Sequence, residues 1–317
     1  TSGSGGDWRG RVSDIEQAAF ADYLRGRNPR ALFVEYIWLT RLVTGLPGDL
    51  RRKVRCFVDT HDVMHLRTEQ FETRKRQVHM PIDAAGEREA LECYDVVVAI
   101  QHEDAAVFRS LCPAKTVIVA GHAGAVTPLP GPQKKGTTQF LFVGSRSHPN
   151  VDSLKGLLAE VWLALQARHG DGIRLSVVGN IAERRDELPD APNVTYHGIV
   201  ADLAEVYAEA DVVLAPVLYG TGLKIKVVEA LCYGKATVTM PAGVDGMIIH
   251  GDPPCAILQD WPQYLATCEG LIEAPEEVRS LEAAATDFAR KTFSENEVFA
   301  SLVDAIGSRL ETAHLLG

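Results

Sequence analysis

The sequence predicts an α/β protein of two Rossmann-like, doubly wound domains facing a central cleft, with C-terminal helices packing back across the linker. Three observations predict it. The chain has 317 residues, above the size at which one hydrophobic core keeps growing. Short apolar runs alternate with helical periods in both halves, the pattern of parallel sheets flanked by helices. Between the halves, Pro128 to Thr138 interrupts every apolar period with prolines, glycines and lysines. The expected boundaries are an N-terminal domain at 1–133, a C-terminal domain at 134–290 and a closing helix at 291–317.

The first twenty residues hold a glycine-rich loop, Ser2-Gly3-Ser4-Gly5-Gly6, then a helix-like stretch from Val12, with no strand before the loop. The expectation is that a first strand and one or more strand–helix units near Phe20 to Asn28 are missing from the sequence. There follow ALFVEYIWL, VRCFVDTHDV, a polar helical stretch to about Glu92, DVVVAI, a short helix through Phe108, and KTVIVAG. The second half runs QFLFVGS, a helix from Asn150 to His169, IRLSVVGN, a short helix, VTYHGI, a helix from Asp202 to Ala210, DVVLAPVL to Leu218, a helix from Gly222 to Tyr233, and KATVTM. In the first of these helices Val151, Leu154, Leu158, Val161 and Leu165 recur at three- and four-residue steps, one apolar face for the sheet. Pro149-Asn150 opens it and Gly170 closes it. After about residue 261 only helices are expected.

Composition narrows the function classes. Hydrophobic residues make up 46% and charged residues 23%, which is ordinary globular usage. No apolar run approaches the ~18 residues of a membrane-spanning helix. Six cysteines without C-x-x-C spacing fit a reducing compartment and hence the cytoplasm. The net charge of −10 is uneven: residues 1–133 carry 17 Lys+Arg against 17 Asp+Glu, the rest 15 against 25. Arg51-Arg52-Lys53-Val54-Arg55 and Arg74-Lys75-Arg76 could make a peripheral contact with an anionic membrane at its inner face, or form a solvated face. An acidic chain lacks the basic stripe that nucleic acid requires.

In open parallel sheets ligands bind beyond the carboxyl ends of the strands. One such end is Gly220-Thr221-Gly222, where free backbone N–H groups and a positive helix end would meet a ligand. Lys224 and Lys226 add positive charge against the macrodipole, a cost that a bound diphosphate would offset. Glu229 suits a ribose, because a carboxylate accepts paired hydrogen bonds from a vicinal diol. Each feature alone has an ordinary structural reading; the conjunction is what points to a nucleotide.

From Phe140 to about Gly246 the sequence resembles the donor domain of GT-B retaining glycosyltransferases of the bacterial group 1 type. FLFVGSRSHPNVDSL, LSVVGN, VTYHGIVADLAEVYAEADVVLAPV and YGTGLKIKVVEALCYGKATVT carry the resemblance, and the last is similar to a Gly-x-Gly-x-Lys-x-Lys…Glu subgroup. The resemblance implies that Glu229 holds the ribose and that Gly220, Thr221, Gly222 and Leu223 meet the donor's sugar and phosphates. Lys224 and Lys226 would pair with the diphosphate, and Gly144, Ser145 and Arg146 would approach it from the opposite side. His197 would frame the base with Gly198. In the N-terminal domain it implies that His61 lies near the donor sugar, with Asp62 beside it, unless Asp62 caps the following helix. Gly5 and Gly6 resemble the family's N-terminal glycine loop, with Arg9 assisting. Many members carry a second glutamate where this chain has Thr221.

The implied reaction moves a sugar from a nucleoside diphosphate to a glycan, lipid-linked or polysaccharide acceptor, with retention of configuration. Front-face attack would let the leaving phosphate help deprotonate the acceptor, while His61 positions the sugar. Fixed cations and a helix end would stabilise the leaving diphosphate. No D-x-D stands at a predicted strand end, so no metal and no other cofactor is expected. The competing readings are a non-catalytic nucleotide-sugar-binding partner and a sugar-nucleotide epimerase of the same fold. A dinucleotide oxidoreductase is disfavoured because no G-x-G-x-x-G follows a strand.

Overall fold

The computed structural model describes residues 8–78, 80–129, 136–247 and 251–314, with side chains described through residue 307. The chain divides into two compact units, residues 1–121 with 298–317 and residues 122–297.

The N-terminal unit is built on a parallel sheet in the order β1-β2-β3-β4, from Ala31–Glu35, Arg55–Asp59, Val96–Ala99 and Thr116–Val119. The expected run ALFVEYIWL is cut at Glu35. Tyr36 takes φ 60° and Ile37–Leu39 winds into a 3₁₀ turn. The polar stretch before Glu92 resolves into two helices, Met64–Thr73 and Ala84–Leu91. The stretch from Val12 forms the helix Asp14–Arg27, opened by a capping box between Ser13 and Glu16. The final helix, Ala300–His314, belongs to this unit: Ala305, with Phe299, Leu302 and Ile306 beside it, packs against Phe57, Val96 and Val98. Two members of the first basic cluster have structural partners. Arg51 grips Asp95 at 2.9 and 3.1 Å, and Arg55 donates to the Ala305 carbonyl.

The C-terminal unit has a six-stranded parallel sheet in the order β10-β9-β8-β5-β6-β7. Its strands are Thr138–Val143, Ile173–Val178, Val194–Gly198, Val212–Ala215, Ala236–Thr239 and Ala256–Ile257. The chain winds outward from β5 to β6 and β7, then returns to place β8 on the other side of β5. Sheets of this topology bind ligands near the point where that direction reverses. The predicted apolar face of the first helix is correct: Val151, Leu154, Leu158, Val161 and Leu165 are at most 1% exposed. Within it Leu157–Trp162 widens to a π-helix, and Trp162 Nε1 donates to the Pro192 carbonyl at 2.8 Å.

Two boundaries differ from expectation. DVVLAPVL ends as a strand at Ala215, since Pro216 has no N–H for the ladder and Val217 N–H turns back to the Ala215 carbonyl at 2.8 Å. The helix expected from Gly222 begins at Ile225, because Gly220 and Gly222 adopt φ 130° and 70°. Those angles lie outside the helical region. The two-residue β10 follows Pro253-Pro254 and was not anticipated. No described helix is long and apolar enough to cross a membrane, and all six cysteines are unpaired thiols.

Candidate functional site

At the carboxyl ends of β5, β6 and β7 the C-terminal unit has an open cavity of about 640 Å³. Its wall brings together three turns distant in sequence: Gly144-Ser145 after β5, Gly179-Asn180 after β6 and Ile199-Val200 after β7. Leu223, Lys224, Lys226 and Glu229, at the start of the helix Ile225–Cys232, close the remaining side.

The first two turns interlock through the backbone. Gly144 N–H donates to the Val178 carbonyl at 2.9 Å, and Ile181 N–H donates to the Gly144 carbonyl at 3.3 Å. Gly179 has φ 106°, and a Cβ there would lie 2.2 Å from the Gly144 oxygen. Only glycine permits this approach.

Polar groups then converge on the cavity. Asn150, at the start of the first helix, donates through Nδ2 to the Ser145 carbonyl and hydroxyl at 3.1 and 3.0 Å, and its Oδ1 accepts from Lys226 Nζ at 2.5 Å. The Lys226 ammonium also sits 5.3 Å from the Phe142 ring centroid and has no carboxylate partner among the described residues. Burial, with Lys224 adding repulsion, pushes it down to about 8. Lys224 reaches back to the Thr221 and Gly222 carbonyls. The Glu229 carboxylate makes no hydrogen bond or ion pair to a described side chain, and burial raises it above the ordinary carboxylate range. A cavity with an unpartnered carboxylate, a buried ammonium and fixed backbone turns can bind a ligand carrying both an anion and hydroxyl donors.

Several expected residues lie elsewhere. Arg146 donates from its backbone to Asn180 Oδ1, and its guanidinium is paired with Glu183 at 3.0 Å on the exposed rim. His197 is exposed and bonds Ser176 Oγ at 3.1 Å; its neighbours Ile199 and Val200 line the cavity instead. Gly220, Thr221 and Gly222 form the approach to the helix, with the Thr221 hydroxyl buried and unpartnered. Gly5 and Gly6 lie outside the described residues. Arg9 pairs with Glu89.

In the N-terminal unit Asp59, His61 and Glu35 meet at the carboxyl ends of β1 and β2. Glu35 and Asp59 are register partners on adjacent strands. His61, at φ 57°, places Nε2 2.5 Å from Glu35 Oε2 and 4.0 Å from Asp59 Oδ1. Burial raises Asp59, and the neighbouring Glu35 charge adds to that rise. The three ligand atoms lie within 4.8 Å of one another, so this group could hold a cation. The Tyr36 ring stacks on His61 at 4.2 Å. Asp62 is buried and accepts from Arg67 at 3.3 Å. The following helix is capped by Glu87, fully buried, which accepts from Met64 and His65 N–H, both at 2.9 Å, and from His65 Nδ1 at 2.5 Å. Glu35, Tyr36, Gly179 and Glu87 were not singled out by the sequence, and Asn150 was marked only as a helix start. The glycine of VVGN, immediately after a strand, was the one local signal among them.

Residues 137–274 match the family described as "Glycosyl transferases group 1". No curated protein matches the chain by sequence. Solved structures share its fold: TarM, with TM-score 0.72 and 11% identity over 92% of this chain and 58% of that one; sucrose-phosphate synthase from Thermosynechococcus elongatus, with TM-score 0.68 and 17% identity over 94% and 77%; and Anabaena HepE in complex with UDP, with TM-score 0.70 and 13% identity over 93% and 82%. The architecture is therefore GT-B, two Rossmann-like α/β units.

Proposed function

We propose that the protein is a glycosyltransferase whose C-terminal unit binds a nucleoside diphosphate sugar. The carrying observation is the unpartnered Glu229 carboxylate, which shares one cavity with Lys224, Lys226 and the Gly144 and Gly179 turns. The match of residues 137–274 to group 1 glycosyl transferases supports the reading, as does the fold shared with a UDP complex.

In this reading Glu229 accepts from the ribose diol and the two lysines neutralise the diphosphate. As the anomeric carbon–oxygen bond breaks, charge grows on the departing phosphate, where Lys226 and the backbone N–H groups around Gly222 stabilise it. Thr221 stands where many relatives use a carboxylate, and its orphaned hydroxyl is a donor-sugar contact in this reading. Retention of configuration, metal independence, and a positioning role for His61 with Asp62 nearby are part of the proposal. An acceptor that supplies a hydroxyl, and a peripheral contact with an anionic membrane, belong to it too.

The test is a panel of UDP-, GDP- and other nucleotide sugars assayed for diphosphate release with candidate acceptors, with and without EDTA. Release that survives EDTA supports the reading, and an α-linked product from an α-linked donor supports retention. Absence of both turnover and any thermal shift with every nucleotide refutes it. A second reading, sugar-nucleotide epimerisation, is favoured by the Glu35–Asp59–His61 cluster, since acid–base epimerisation needs such groups. Epimer formation from the donor alone, without acceptor, would establish it instead.

A further inference from the structure

The N-terminal unit holds a second cavity, of about 320 Å³, walled by Tyr36, Trp38, Met64, Phe71, Val78 and Met80. This volume is at the lower end of small-molecule sites, roughly 300–1,000 Å³. It has room for one or two rings and is too compact for a long polyprenyl chain.

The polar groups on the wall are few, and Thr68 and Arg67 already have partners. The Thr68 hydroxyl donates to the Met64 carbonyl at 2.9 Å and accepts from Ile82 N–H at 3.2 Å. Arg67 is paired with Asp62, and its guanidinium lies 5.5 Å from the Phe71 ring centroid. That leaves Gln77, the Tyr36 hydroxyl and the Trp38 indole N–H among the lining side chains. A saccharide bound here would desolvate several hydroxyls, with only Gln77 and the Tyr36 hydroxyl on the wall to accept from them. Aromatic faces and methionine sulfurs instead favour a flat π-system.

Tyr36 ties this cavity to the His61 cluster. Its ring lines the cavity and stacks on His61, with 21° between the planes. Its backbone is in a left-handed conformation that side chains disfavour, as is that of His61. The arrangement is held by Tyr36 N–H to the Asp59 carbonyl at 2.8 Å and by His61 to Glu35. Two strained, non-glycine residues locked face to face are what functional sites retain.

We propose that this cavity holds the aromatic aglycone of the acceptor, a one- or two-ring alcohol, and that the hydroxyl to be glycosylated lies on the Tyr36 side. The proposal rests on the glycosyl-transfer reading. In the step it serves, the hydroxyl oxygen bonds to the anomeric carbon and the anomeric carbon–phosphate oxygen bond breaks. The electron pair leaves with the nucleoside diphosphate, and the hydroxyl proton passes to its phosphate oxygen.

The experiment is calorimetric titration of the whole protein with 4-methylumbelliferone, an aromatic alcohol, alongside methyl β-glucoside and n-octanol, with UDP and GDP titrated separately. The expected result is saturable binding of the coumarin and at least tenfold weaker binding of both controls. Met80→Trp, which fills the cavity from a loop, and Phe71→Ala, which removes an aromatic wall, should each weaken coumarin binding at least tenfold and leave nucleotide affinity unchanged. Coumarin binding that neither variant alters, or a control that binds as tightly, overturns the proposal. Coumarin binding to a protein that answers to no nucleotide overturns its assignment as acceptor and the transfer reading together. Nucleotide binding without coumarin binding overturns the acceptor assignment alone.

Discussion

Replacing Glu229 by alanine should move the stability of the free and liganded protein in opposite directions. In the free protein the carboxylate is half-buried, unpartnered and raised in pKa by desolvation. Its charged form therefore opposes folding, and that cost is absent below the ordinary value of 4.5 and appears as pH rises through the folded-state value. Glu229→Ala should leave the free melting temperature at neutral pH unchanged or slightly raised. With nucleotide bound, the same carboxylate supplies charged hydrogen bonds worth about 1.5–3 kcal/mol, so its loss should weaken Kd roughly tenfold to a hundredfold. At a concentration of about 100 times the wild-type Kd, ligand stabilisation is ~2.7 kcal/mol and should fall to ~0.4–1.4 kcal/mol. For a domain of this size that turns a rise in melting temperature of ~5–11 °C into ~1–6 °C. Differential scanning fluorimetry with the best nucleotide of the panel reads both numbers. A full ligand shift in the variant would refute the ribose assignment, and a large drop in free stability would refute the claim that the carboxylate is held at a cost.

Lys226 should make nucleotide affinity depend on pH. Its ammonium is pushed down to about 8, so titration calorimetry should show affinity falling as pH rises above about 8, and Lys226→Met should remove that dependence and weaken binding at pH 7 at least tenfold; a flat wild-type profile to pH 10 contradicts it. Conversely, the cost of keeping this lysine charged is present below about 8 and disappears as pH approaches 10.5. Gly179→Ala should destabilise the protein by about 3 kcal/mol or more in urea, from an unfavourable φ and a Cβ only 2.2 Å from the Gly144 backbone oxygen; a midpoint within error of wild type would show that the turn relaxes. Glu87→Ala should cost about 3–5 kcal/mol by denaturant titration, since two backbone N–H groups and His65 lose their acceptor. The Glu87 hydrogen bond raises His65 above its ordinary 6.5, so that contribution is full below 6.5 and lost as pH rises through the folded-state value; a wild-type melting curve that does not decline there, relative to Glu87→Ala, argues against the pair.

Much of the fold was legible because its signals are local. Alternating apolar runs and helical periods follow from the two-residue and 3.6-residue repeats of the backbone, and they placed nine of the ten strands close to their observed positions. The tenth, Ala256–Ile257, is too short to carry a period. The turn at Gly220–Gly222, the lysine pair and Glu229 were legible for the same reason, lying within eleven residues of one another. Strand ends were less legible where proline or a left-handed residue intervened, at Pro216 and Tyr36.

What only the tertiary structure decided is which side chains meet. Arg146 and Lys226 are both cations a few residues beyond a glycine turn, yet Glu183 captures one at the rim while Asn150 draws the other into the cavity. Asp62 precedes its helix as a cap would, but Glu87 arrives from another helix to take that position. Glu35 faces Asp59 because β1 and β2 pair in that register, and the cavity beside Glu229 forms because the turns after β5, β6 and β7 converge. Strand order and register are set by packing whole elements against one another, and no spacing along the chain encodes them. The sequence by itself determined two parallel sheets and the chemistry offered at their strand ends; the packing of those sheets determined that Glu229 and Lys226 share a cavity with the Gly144 and Gly179 turns and that Glu35 holds His61.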